Sequence, residues 1–338
     1  MTALTHEQEK SPRRRSLLQR FAASEEFVLV VLLLVVAVVV VIAVPSARQE
    51  RVPFDLLREL SPNLIAIVGT ALLMIGGEFD LSIGSMIALV TVITMGLFNK
   101  TGNIWLSVAV GLLLGPAIGS IIGFFVTRLK MTSLMTTLGM MFVIRGAVFV
   151  ATNKATILTG DTVPDAFIAI YHSSAGPIPT PTILAFVLIA IFYVISTQTD
   201  FGRHIYAVGG NPSASRVSGI KVNRVKFILF VLCSTTAAIA GMLVTAQIKT
   251  GYFDAGTGFE LTIITAAVLG GIRLGGGQGG LVGAVLGVLI LGLSNKALRL
   301  LGAATTTQML ATGLFMIFAL WLHGARKRLL SRRAANKR

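Results

Sequence analysis

Residues 64–98 read LIAIVGTALLMIGGEFDLSIGSMIALVTVITMGLF, an apolar run of 35 positions with two acids, Glu78 and Asp80, at its centre. As one helix it would extend about 52 Å at 1.5 Å per residue, whereas about 20 residues cross a bilayer core. The run must therefore turn or break. Gly76 and Gly77 suit a helix end, and Asp80 suits the cap of a helix beginning at Leu81, where its carboxylate satisfies free N–H groups and faces the positive end of the dipole. Two readings stay open: a solvated turn outside the membrane, or a break at membrane depth, where irregular backbone persists only inside protein or beside water. Leu64–Ile75 is too short to cross alone, which favours the break.

The rest of the chain has the same character. Its 338 residues are 54% hydrophobic and only 13% charged, about half the charge of soluble domains, and mean hydropathy is +0.83. About ten apolar segments follow one another: 27–44, 64–75, 81–98, 104–127, 132–151, 182–197, 227–248, 261–269, 281–293 and 305–322. Ser61–Pro62 reads as the N-cap and first residue of the second. The expectation is an all-α polytopic membrane protein with broken or re-entrant segments near 76–81 and 270–280. Basic tails occupy 1–26 and 324–338, and a membrane domain fills 27–323.

The net charge of +15 is concentrated in the two tails and in residues 199–226. With an even number of spans, about 20 of the 29 Lys and Arg fall on the side of the termini, so both termini are expected in the cytoplasm. No aromatic residues interleave with the basic tail, so membrane lipid rather than nucleic acid is the expected neighbour. The length and continuity of 27–44 argue for a first span rather than a cleaved leader, although RRRSLLQRF loosely resembles an export signal.

Catalytic chemistry finds little support. No phosphate-cradling G-x-x-x-x-G-K-[ST] motif and no H-E-x-x-H occurs, and the four histidines lie in loops or at polar ends. Cys233 stands alone. We expect no catalytic residue, metal or cofactor. Ion-coupled transport needs charge inside the membrane, and Glu78, Asp80 and Arg145 are its candidates. Arg145 either pairs with one of those acids or snorkels. Residues 268–283, VLGGIRLGGGQGGLVG, form a second glycine-rich interruption, read either as close helix packing or as one of two matching breaks in a transporter. Within 199–226 a Gly-Gly-Asn-Pro turn precedes the amphipathic stretch 213–217, and Gly219 stops it. A short helix there would present Ala214, Val217 and Ile220 to a partner groove.

Four stretches taken in order carry a family resemblance: IGGEFDLSIGSMIAL (75–89), TLGMMFVIRGAVFVAT (137–152), FGRHIYAVGGNPSASRVSGIKV (201–222) and VLGGIRLGGGQGGLVGAVLGVLIL (268–291). Over roughly 27–325 the chain resembles the ribose-type inner-membrane permeases of bacterial ABC sugar importers. Branched-chain amino acid permeases are more distant relatives. The resemblance implies alternating access in a homo- or heterodimer, cytoplasmic ATP-binding subunits that hydrolyse ATP, and a periplasmic or extracellular sugar-binding protein. It also implies a coupling loop bearing Gly209, Asn211, Ala214, Arg216 and Gly219. Glu78, Asp80, Ser82 and Arg145 are then expected to support the broken helix or line the path. The alternatives are a branched-chain amino acid permease and an ion-coupled carrier using Glu78 and Asp80.

Overall fold

The computed structural model describes residues 25–158, 163–304, 306–315 and 317. Helices dominate: α1 (Glu25–Ala43), α2 (Val52–Ile75), α3 (Ile83–Thr101), α4 (Ile104–Thr127) and α5 (Ser133–Thr152) come first. After them come the short α6 (Asp165–His172), α7 (Thr180–Gln198), α8 (Asp200–Gly210), α9 (Pro212–Val217), α10 (Val222–Ile248), α11 (Phe259–Leu269) and α12 (Leu281–Leu300). Backbone at 306–315 is also helical. Among the described residues eight helices are long and apolar enough to span a membrane, and α11 is a ninth, shorter apolar helix. The expected tenth span, 305–322, and both basic tails lie largely outside the described residues. Two ribbons of two-residue strands decorate the loops: β1 (Ile157–Leu158) pairs antiparallel with β4 (Thr250–Gly251), and β2 (Ser174–Ala175) with β3 (Ile178–Pro179).

The second span differs from the sequence expectation. Its helix does not begin at Ser61–Pro62 but at Val52, and 24 residues give it about 36 Å, enough to cross. Pro62 sits inside the helix. Ser61 Oγ bonds back to Leu57 O at 2.7 Å and lies 3.1 Å from Thr182 Oγ1 of α7, so the hydroxyl next to the proline is buried and paired. Asp55, Arg58 and Glu59, outside the expected apolar segments, belong to the polar end of this helix.

Two helices organise the core. The inner stretch of α2, Leu64–Ile75, is almost wholly buried, as is most of α10. Helix α4 packs along α10 through Gly111, Gly115, Gly119 and Gly123, spaced by four. A Cβ at Gly115 would lie 2.7 Å from Thr235 Cα, and one at Gly119 2.7 Å from Phe230 O. Small residues on one stripe allow backbone contact, the usual basis of helix association in lipid. The outer faces of α1, α4, α5 and α7 carry exposed Val, Leu, Ile and Phe, as a lipid-facing surface requires.

Candidate functional site at the chain breaks

Helix α2 ends with Gly76, and Gly77 takes a left-handed φ of +83° that residues with a Cβ rarely adopt. The following chain does not leave the bundle. Glu78 and Asp80 are 7% and 1% exposed. Glu78 forms an ion pair with Lys226 in the first turns of α10. Asp80 Oδ1 accepts from Ser82 N at 2.8 Å and Ser82 Oγ at 2.6 Å, and Ser234 Oγ donates to Oδ2 at 3.5 Å. Ser234 lies about 18 Å along α10 from its first residue, at 1.5 Å per residue. The segment 77–82 therefore climbs inside the protein, and α3 starts well within the bundle. Of the two sequence readings the solvated turn fails. Asp80 does not cap α3 as the sequence suggested: the helix begins at Ile83 rather than Leu81, and its N-cap is Ser82 without a side-chain cap bond. Asp80 instead fixes the turn just before the helix by accepting from the N–H and hydroxyl of Ser82.

Arg145 pairs with neither acid, contrary to one sequence reading, and it does not snorkel. Midway along α5, it donates to Phe253 O at 3.3 Å and Ala255 O at 2.9 Å, and lies 4.0 Å from Asp254. Those carbonyls belong to residues 249–258, which turn back into the bundle after α10. Gly251 packs on Val92, and Gly256 on Gly84 and Ile87, so the strand descends about 12 Å along α3. Helix α11 starts at this depth, and a Cβ at Gly84 would meet Glu260 Oε2 at 2.1 Å. The re-entrant partner of the 76–82 break is thus 249–258, which sequence reasoning treated as a plain connector.

The glycine-rich segment 270–280 is instead the connection between α11 and α12. It is tightly packed: Gly277 N donates to Ile75 O at 2.7 Å, and a Cβ at Gly276 would lie 2.7 Å from Gly77 Cα. A Cβ at Gly209, near the end of α8, would lie 1.8 Å from Ile75 O and 2.7 Å from Gly277 N. Three glycine-bearing segments, 76–77, 209–210 and 275–277, therefore meet backbone to backbone. Tyr206 OH adds a hydrogen bond from α8 to Gly279 O at 3.1 Å, and burial pushes this phenol's pKa above its ordinary value.

The expected short helix is present at the same end of the molecule. Asn211 caps α9 by accepting from Ser213 N and Ala214 N at 3.1 and 3.0 Å, and Gly219 turns the chain at φ +84°. Val217 is 92% exposed at its tip, with Ala214 and Arg216 also exposed. Ile220 instead tucks against the apolar core.

A family described as "Branched-chain amino acid transport system / permease component" matches residues 52–320. The chain belongs to this permease family. The chain is similar to the ribose import permease protein RbsC of Escherichia coli strain K12, 38% identical over 269 residues, 79% of this chain and 83% of that protein. Similarity to the Bacillus subtilis strain 168 ribose permease is 34%, over 79% and 83% of the two chains. The L-arabinose permease AraH of Escherichia coli strain K12 is 33% identical over 77% and 78%. No solved structure matches the chain. The family and the apolar helices make this a multi-pass membrane permease.

Proposed function

We propose that the chain is the membrane-spanning subunit of an ATP-driven importer for a monosaccharide, with the end bearing α8 and α9 in the cytoplasm. Helix α9 docks a separate ATP-hydrolysing subunit through Ala214, Arg216 and Val217. The observation that carries this reading is the glycine junction, which places α8 in backbone contact with the end of α2 and with the α11–α12 connection. A push on α9 then reaches both the 76–82 break and α11, without passing through flexible side chains. Packed elements of this kind shift between discrete arrangements rather than deform gradually. Glu78, Asp80, Ser82 and Arg145 hold the two re-entrant segments, and the ribose and arabinose relatives support a sugar as cargo.

An ion-coupled carrier is disfavoured by the same geometry, because Glu78 is held by Lys226 and Asp80 by Ser82 and Ser234. The test is affinity purification of the tagged chain in mild detergent, with uptake measured in parallel. A retained ATPase, lost in Val217→Asp while the permease remains folded, is the expected result. A chain purified alone, with uptake abolished by a protonophore, would overturn the reading.

A further inference from the structure

At the end of the bundle that carries α9, an open cavity of about 950 Å³ lies between the last turn of α4 and the first turn of α10. Arg128, Arg216, Lys221 and Arg224 line it, all four exposed, and among the described residues no acid does. Nor is any of the four in an ion pair among those residues. The acid of the adjoining hollow, Glu78, is already held by Lys226. Helix α10 starts at Val222 without a side-chain cap, so its first N–H groups add to the positive potential. Cations gathered around one cavity repel each other until an anion sits among them.

The remaining wall is apolar, made by Phe124, Ile220 and Phe227. It continues into the outer face of α4. Leu113, Ala117, Ile121 and Phe124 are exposed there, three or four residues apart on one face, and Arg128 follows in line. Leu113 to Phe124 spans about 16 Å at 1.5 Å per residue, close to half of a hydrocarbon core about 30 Å thick. The cations therefore stand at the level where the headgroups of one leaflet begin.

We infer that this cavity binds the phosphate headgroup of an anionic phospholipid, with an acyl chain lying along the α4 stripe. Basic pockets between membrane-spanning helices suit such headgroups. The guanidinium forks of Arg128 and Arg224 match phosphate oxygens, and the Asn223 carboxamide at the rim offers a further donor. A soluble phosphate would use the cations alone, whereas a lipid uses both the cations and the apolar wall. Arg216 reaches the same cavity from α9, so a bound headgroup ties α9 to the first turn of α10.

The full chain carrying Phe124→Trp is reconstituted in phosphatidylcholine bilayers with increasing phosphatidylglycerol, either lipid bearing brominated chains, and quenching of the new indole is read against the parent protein. A preference for phosphatidylglycerol of about fivefold or more is expected, falling below about twofold in Arg128→Gln/Lys221→Gln/Arg224→Gln. Arg13→Gln/Arg14→Gln/Arg15→Gln removes the same charge from the N-terminal tail and is expected to keep the preference. Equal losses in the two triple variants would overturn the site and leave a diffuse basic collar. Displacement of the lipid by millimolar inorganic phosphate would overturn it in favour of a soluble anion. A cavity variant that keeps the lipid preference but no longer retains the ATPase would give the cavity to the protein partner instead. If the triple variant fails to fold, Arg224→Gln alone decides, with a loss of about twofold or more expected and an unchanged preference refuting the site.

Discussion

Substituting Gly209 by alanine puts a methyl carbon 1.8 Å from Ile75 O and 2.7 Å from Gly277 N, both backbone atoms. Ordinary carbon contacts begin near 3.5 Å, so the junction must open by more than about 1 Å. That displacement breaks the 2.7 Å hydrogen bond from Gly277 N to Ile75 O. Overpacking costs about 1–3 kcal/mol and the lost bond about 1. Alanine's helix preference returns at most about 1, leaving roughly 1–3 kcal/mol against the closed junction. At 1.4 kcal/mol per tenfold, its population falls by roughly 5- to 150-fold. Gly210 is the internal control, because among the described residues a Cβ there meets nothing within 4 Å. Both variants are reconstituted, and sugar import is measured per ATP hydrolysed by the partner. Gly209→Ala is expected to hydrolyse ATP with little import, and Gly210→Ala to match wild type. Equal coupling in the two variants would refute the junction as the transmitting contact.

Lys226→Met leaves Glu78 unpaired in a largely buried setting, at about 2–4 kcal/mol after allowing for residual exposure, and should lower folded yield; exchanging the charges in Glu78→Lys/Lys226→Glu should recover part of it. Asp80→Ala removes the bonds from Ser82 and frees the start of α3. A loss of about 1–2 kcal/mol should appear as a lower unfolding temperature in detergent, and no shift would count against its role in fixing the turn before α3. Tyr206→Phe deletes the bond to Gly279 O at about 1 kcal/mol. Because burial raises this phenol's pKa in the folded state, its contribution is full below about pH 10 and lost as pH rises through the folded value, so the wild-type and Phe proteins should converge in stability only in strong alkali.

The cap and stop of α9 were legible because Asn211 and Gly219 act on residues within one turn of themselves. Asp80 was readable as lying at the start of α3 but not as serving the turn before it, because Ser82, two residues on, takes the cap position. Ser61–Pro62 misled because its local pattern suits a helix start, while the helix runs from Val52 to Ile75 with Ser61 and Pro62 buried inside it. The partner of Glu78 is 148 positions away, beyond any spacing rule. The re-entrant 249–258 segment carried a weak signal in Gly251, Gly256 and Gly258, but its depth depends on Arg145 and the surface of α3. The four-residue spacing of Gly111, Gly115, Gly119 and Gly123 passed unread in the sequence, because only the structure shows which helix packs against that stripe.

The ion pair between Glu78 and Lys226 also sets an order of assembly. Its lysine is synthesised 148 residues after its acid. At about 5–20 residues per second, translation keeps Glu78 waiting for roughly 7–30 s. Until α10 arrives, the hairpin of α2 and α3 has no Lys226 to compensate the acid beside its turn. A chain truncated before residue 226 is expected to be degraded faster than the full chain in a pulse-chase, and equal lifetimes would show that Glu78 needs no partner during insertion.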